Sequence, residues 1–380
     1  MKSDKLDPSI SALFESAAKL AAQKEKWRTL GYICDPCDPL LPLQHPKAFY
    51  GENPRIETLI AKIVDFINAP TQDLLFLKGP RGSGKTVFAH IFKEYSPKLK
   101  VSANYQDASV FFTERTFQPN EALTFSLNME SEVDVIFLDK AFYLHKTLTR
   151  LLSLKPPTNQ RSPKIIAIMD NTEFEIYRRL CIQRADKTYQ YFLSMPLLTS
   201  TDIYNILQRR LHVCFGGPIP SHITDEVIEK MAKLSLGNPG IALRILEEIL
   251  RFSRRIEDIR YTFGINPEVL RTFPPSKSPI LREILVREVQ NEFLPPAKRE
   301  YIIHKELTII MNKTKSTISH HLGDLLSGNL IYEQSTDRDK REKAYRPNKA
   351  IFGILEHLAF ESTAVEDVRI TSFEGINREK

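Results

Sequence analysis

The residues Gly79-Pro80-Arg81-Gly82-Ser83-Gly84-Lys85-Thr86 follow the spacing G-x-x-x-x-G-K-[ST]. Residue types in that order can cradle a row of phosphates. Gly82 and Gly84 let the backbone curl with its N–H groups inward, Lys85 reaches the β- and γ-phosphates, and the Thr86 hydroxyl ligates Mg2+. The spacing carries this meaning only between a strand and a helix, whose positive N-terminal end then faces the anion. Leu74-Leu75-Phe76-Leu77 supplies an apolar strand, and an apolar-periodic helix follows Thr86. A nucleoside triphosphate with Mg2+ is therefore the predicted ligand.

A metal shell at such a loop needs a carboxylate at the end of another strand. Val133-Asp134-Val135-Ile136-Phe137-Leu138-Asp139 is a run apolar enough to be buried on both faces, as a central parallel strand must be, and Asp139 stands at its carboxyl end. Asp139 is the candidate Walker B aspartate and the second metal ligand beside Thr86. Hydrolytic proteins of this type place a Glu next, to orient water. Here Lys140 follows, a cation that accepts no proton, so hydrolysis is expected to be slow or to draw on Glu132, Asp134 or a neighbouring subunit. A third strand, Ile165 to Met169, runs into Asp170-Asn171. Ligands of open α/β sheets lie at the carboxyl ends of strands, which makes Asn171 the candidate sensor of the terminal phosphate, with Asp170 as the alternative.

The C-terminal region carries a second signal. In Thr314 to Ile331, the residues Ile318, Leu322, Leu325 and Leu326 repeat at helical spacing and face a core, and Gly328-Asn329 ends the helix. Lys313, Lys315, Ser316, Ser319 and His320 fall on the opposite face, all donors suited to a major groove. Ile302 to Met311 reads as the supporting helix, Leu330 to Glu333 and Ala344 to Arg346 as paired strands, and Arg338, Lys340, Arg341 and Lys343 as cations of a tip that would hold phosphates. This is the pattern of a winged helix-turn-helix, and duplex DNA is its predicted partner. A winged helix can also dock on protein.

The 380 residues, 42% hydrophobic and 26% charged, are enough for two or three globular domains. The formal charge of +6 permits a polyanionic partner without requiring one. No stretch approaches the roughly 18 apolar residues of a membrane span, so no membrane partner is expected and the cytoplasm, in association with the nucleoid, is the expected location. Cys34 and Cys37 form a single C-x-x-C in a proline-rich loop; without a second pair it reads as incidental thiols, not as a zinc site. The predicted organisation is an N-terminal helix and proline-rich loop over 1–47 and a P-loop core over 48–196. A helical lid over 197–272, a winged-helix domain over 273–360 and a tail over 361–380 follow. Helices are expected over Pro54 to Asn68, Ile203 to Leu211, Thr224 to Leu236 and Ile241 to Phe252.

Taken together, Gly79 to Thr86, Leu138-Asp139, the strand ending in Asn171, the helical lid and the winged helix resemble AAA+ ATPases of the archaeal origin-recognition initiator family, over about residues 48–350. The resemblance implies an α/β P-loop fold with ATP between core and lid, and a nucleotide switch on DNA binding or self-association. It also implies an arginine that reaches nucleotide on a neighbouring subunit, for which Arg178, Arg179 and Arg184 are the candidates and Arg184 is preferred. Two positions depart from the family. Lys140 replaces an acidic residue, and the lid motif Gly237-Asn238-Pro239-Gly240 ends in glycine where an arginine is expected, leaving Arg244 one turn on as a substitute. A related branch of regulatory or mobile-element ATPases shares the same parts.

Overall fold

The computed structural model describes residues 32–45, 53–70, 73–111, 133–144, 148, 163–183, 191–215, 223–252, 273–335 and 342–360. The amphipathic segment from Ser9 to Arg28, Glu132, Arg184 and the tip residues Arg338, Lys340 and Arg341 lie outside them. In chain order the elements are helix α1 (Pro54–Asn68), strand β1 (Leu74–Gly79), α2 (Lys85–Tyr95), β2 (Ala103–Asp107), β3 (Val135–Asp139), β4 (Lys164–Asp170), α3 (Asn171–Gln183) and β5 (Phe192–Ser194). Next come α4 (Ser200–Phe215), α5 (Asp225–Leu234), α6 (Pro239–Phe252) and α7 (Ser278–Glu292). The chain closes with β6 (Ile302–Ile303), α8 (His304–Met311), α9 (Lys315–Ser327), β7 (Ile331–Ser335), β8 (Lys343–Pro347) and α10 (Phe352–Phe360).

The first five strands form one parallel sheet in the order β2-β3-β4-β1-β5. Every residue of β3 is buried, and Phe76, Leu77, Phe137 and Ile166 are almost fully so, as expected of strands covered on both faces. Phe76 packs on Phe174 and Tyr177 of α3, and Phe92 of α2 packs on Phe137. Because the strands are parallel, the carboxyl ends of β1, β2, β3 and β4 gather on one edge, with Gly79 level with Asp170 and Asp107 level with Asp139.

The chain divides into two compact units, one built from residues 1–56 and 198–256 and the other from 57–197 and 257–380. The proline-rich loop thus falls in one unit with the helical segment, and the phosphate-loop core in the other with the C-terminal segment. In the first unit Arg210 of α4 is buried and donates to the carbonyls of Pro36 and Asp38, and the Asn53 side chain donates to Asp202 at 2.8 Å. Cys34 pairs with Cys214 of α4, their sulfurs 2.7 Å apart, and not with Cys37. Gly237, at φ +79°, is obligatory: a Cβ there would stand 2.4 Å from the Leu198 carbonyl oxygen.

In the second unit β6, β8 and β7 form a small antiparallel sheet beside α8 and α9. Thr314 caps α9 by accepting the Thr317 N–H at 3.2 Å, and Ile318, Leu322 and Leu325 are buried along its inner face. Two details differ from the expectation. Ile302-Ile303 is a short strand pairing with β8, so the supporting helix begins at His304, and the left-handed residue after α9 is Asn329 (φ +53°), not Gly328. The helix expected to run through Leu236 ends at Leu234, with Leu236 and Gly237 both at positive φ.

Candidate nucleotide-binding site

The loop between β1 and α2 turns on Gly82 (φ +83°) and Gly84 (φ +93°), conformations that a side chain strains. Gly79 is fixed by space: a Cβ would stand 2.8 Å from Met195 and 3.0 Å from the Ser83 hydroxyl. Thr86, in the first turn of α2, donates to Asp139 at 2.7 Å. A hydroxyl and a carboxylate joined at a helix head are the oxygen donors that Mg2+ takes from protein, the rest of its shell coming from water and phosphate. The core is an α/β parallel sheet with the phosphate-loop motif between its strand β1 and helix α2.

The Ser83 hydroxyl is buried without a hydrogen-bond partner, as fits a loop whose polar atoms are meant for a ligand. Asp139 also accepts from the Tyr105 hydroxyl of β2 at 2.8 Å, and burial together with that carboxylate pushes the phenol above its ordinary range.

Lys140, at φ +51°, turns away from this centre. Its ammonium donates to Asp107 at 2.7 Å and to the Ser109 hydroxyl at 3.3 Å. Burial disfavours the Asp107 carboxylate, but hydrogen bonds from Lys140 and Ser109 together outweigh it and hold the group below its usual range. The position that follows Asp139 thus spends its charge on the neighbouring strand. Asp134 cannot act as the missing base. It sits five residues before Asp139, at the amino end of the strand, about 16 Å away at a rise of about 3.3 Å per residue.

The carboxyl end of β4 presents Asp170 to the loop. Asp170 accepts from Lys85 at 2.8 Å through one oxygen and from Arg81 at 3.0 Å through the other, while Asn171 is buried as the first residue of α3. Lys85 is itself almost wholly enclosed and donates to the carbonyls of Gly79 and Pro80. Burial works against the Asp170 charge, yet Lys85 and then Arg81 hold its carboxyl below the usual range. Glu173, whose carboxylate accepts the Asp170 N–H at 2.8 Å, is pushed up to about 8 by burial and by that neighbouring charge.

Two further carboxylates reach this loop from the C-terminal segment. Glu292 of α7 lies 3.5 Å from the Arg81 guanidinium, which stacks 4.5 Å above the Phe352 ring of α10. Glu356 of α10 is fully buried; one oxygen accepts the backbone N–H of Arg81 at 2.5 Å, the other accepts the N–H and hydroxyl of Thr172 at 3.0 and 2.7 Å. Burial, with Asp170 second, raises Glu356 to about 7. No sequence signal marked Glu356, Glu292, Asp107 or Tyr105: the first two are distant in the chain, and the others sit on a strand too polar to announce itself.

The remaining candidates are placed as follows. Arg178 pairs with Glu175, and Arg179 with both Glu175 and Glu283 of α7, the latter at 2.6 Å, so both arginines are engaged within the chain. Arg244 lies exposed on α6. Lys313, Lys315, Ser316, Ser319 and His320 are all exposed at and along α9, Ser319 within 2.9 Å of the His304 ring. Lys343 pairs across the hairpin with Glu333 at 2.8 Å. Among the described residues no group of His, Cys, Asp and Glu could hold a metal by itself, and no helix is long and apolar enough to cross a membrane.

No family model matches the sequence, and no curated protein matches it. Among solved structures the chain is similar to the Aeropyrum pernix ORC1 protein in complex with DNA, at 15% identity over 81% of this chain and 94% of that one, with a TM-score of 0.42. It is similar to the ORC2 protein of the same organism in ADPNP–ADP complexes at 14% identity, over 82% and 95%, with a TM-score of 0.41. Domain III of the Thermotoga maritima replication initiation protein DnaA gives 15% identity over 56% and 92%, with a TM-score of 0.37. At these values the description of the core rests on the chain's own strand order and loop geometry, not on the likenesses.

Proposed function

We propose that this chain binds ATP with Mg2+ at Gly79 to Thr86 and uses the nucleotide as a switch on duplex-DNA binding through a C-terminal winged helix, with slow hydrolysis. The observation that supports the slow turnover is the diversion of Lys140 to Asp107, which leaves Asp139 without an adjoining base. Thr86 and Asp139 would hold Mg2+, whose charge offsets that of the terminal phosphates. Lys85 and the loop N–H groups would orient the phosphates.

The exposed cations and hydroxyls of α9 favour DNA as the partner. The pairing of Lys343 with Glu333 and of Lys277 with Asp324 lowers the positive field of the same segment and favours the second reading, a regulatory ATPase whose winged helix docks on protein. Self-association, with Arg184 reaching a neighbour's nucleotide, is compatible with either.

The deciding experiment is duplex binding by anisotropy with ATP, with ADP and without nucleotide, across a salt series. Affinity that changes with nucleotide and falls steeply with salt supports the switch; affinity indifferent to both removes it.

A further inference from the structure

The Arg81 N–H belongs to the phosphate loop, yet its acceptor is a carboxylate of α10, some 275 residues further along the chain. Around the loop's two cations, Lys85 and Arg81, stand four carboxylates: Asp170, Glu173, Glu292 and Glu356. Three of them are mostly buried, so protons or the two cations must offset their charge. Another anion cannot settle on these donors while all four partners stay in place.

Of the four, Glu356 is the one whose removal requires movement of an element rather than of a side chain. Apart from the half-buried His357 its helix is otherwise apolar, with Phe352, Ile354, Leu355 and Leu358 buried, and it is tied to α7 through Ser278, whose hydroxyl donates to the Leu358 carbonyl at 2.8 Å. The helix α7 in turn packs against β8 and carries Glu288, which receives Arg346 of β8 at 3.0 Å. A displacement of α10 is therefore transmitted to the hairpin beside α9.

We propose that Glu356 competes with the terminal phosphate of a bound nucleoside triphosphate for the phosphate loop, so that α10 is the element through which nucleotide reaches the C-terminal segment. The inference rests on the proposed triphosphate site and names its regulation. A diphosphate, lacking the terminal group, competes less and leaves α10 seated.

Two measurements on the full chain test it. Hydrogen exchange of the α10 amides is followed with Mg2+ and ATP, ADP or neither, and nucleotide affinities are measured for the parent and for Glu356→Gln, which keeps the size but removes the charge and one of the two accepting oxygens. Faster α10 exchange with ATP than with ADP, and ATP binding tightened about tenfold in E356Q with ADP little changed, is the expected result. ATP that binds the parent yet leaves α10 exchange unaltered overturns the competition while sparing the nucleotide site. A parent that binds no ATP overturns both. Should E356Q fail to fold, the exchange arm on the parent decides alone.

Discussion

Lys85 carries two burdens that are usually separate. A loop lysine is ordinarily replaced by alanine to abolish nucleotide binding with the fold left intact, but here Lys85 also neutralises a largely buried Asp170. Breaking such a pair from one side costs about 3–5 kcal/mol. Lys85→Ala should therefore lower the denaturation midpoint as well as abolish nucleotide binding, and adding Asp170→Asn should restore much of the stability without restoring binding; equal midpoints for parent and K85A would refute this. Lys140→Ala should be mild, within about 1 kcal/mol, because the pair with Asp107 is half exposed. The parent's ATP turnover should fall far below the roughly 10 per second typical of enzymes, and a rate near that value would show that another group supplies the base. Glu173 adds a pH dependence. Its ordinary value is 4.5 and its folded value about 8, so between these the native state keeps a proton that the unfolded chain has lost. Its contribution is fully present below about 4.5 and is lost as pH rises through about 8, and Glu356 acts in the same direction with a limit near 7. Stability by chemical denaturation should fall across this range, and Glu173→Gln should flatten the fall.

At the scale of elements, caps and glycines decide where helices begin and where the chain can turn. Thr314→Ala removes the hydroxyl that accepts the Thr317 N–H and should cost about 1 kcal/mol, read as a drop in thermal midpoint. Gly237→Ala combines a positive φ with a 2.4 Å approach to a carbonyl and should cost more than about 1 kcal/mol. The long periodic elements were legible in the sequence. The helix Pro54–Asn68 starts and ends where its pattern says, and the strands ending in Gly79, Asp139 and Asp170 lie where apolar runs placed them. The strand Ala103–Asp107 was not legible, because all its residues are half-buried and polar ones interrupt any alternation. Choosing between Asp170 and Asn171 was equally out of reach: the two are adjacent, and only the start of α3 at Asn171 turns one toward the loop and the other into the core.

At the scale of the molecule, the net charge of +6 includes both paired and exposed cations among the described residues. Lys343 is balanced by Glu333, whereas Lys315 stands exposed at the first turn of α9. If α9 meets duplex DNA, Lys315→Ala should reduce the slope of log affinity against log salt by about 1. Lys343→Ala should change it less, since breaking its pair frees an opposing carboxylate. The partition into two units was not legible, since the association of residues 32–56 with 198–256 rests on Arg210, Cys214 and Asp202, which meet partners some 150 or more residues away. The carboxylates around the phosphate loop have one more consequence. A tethered group faces its site at an effective concentration of about the millimolar range or above, without ever diffusing away. Free phosphate or sulfate, holding the loop by one group alone, must outbid that resident anion and gains nothing from the rest of the site. A nucleotide that also engages Thr86 and Asp139 through its metal can do so. On the proposed competition, Glu356 and Asp170 would favour a ligand that grips in several places at once over the small anions of the cell.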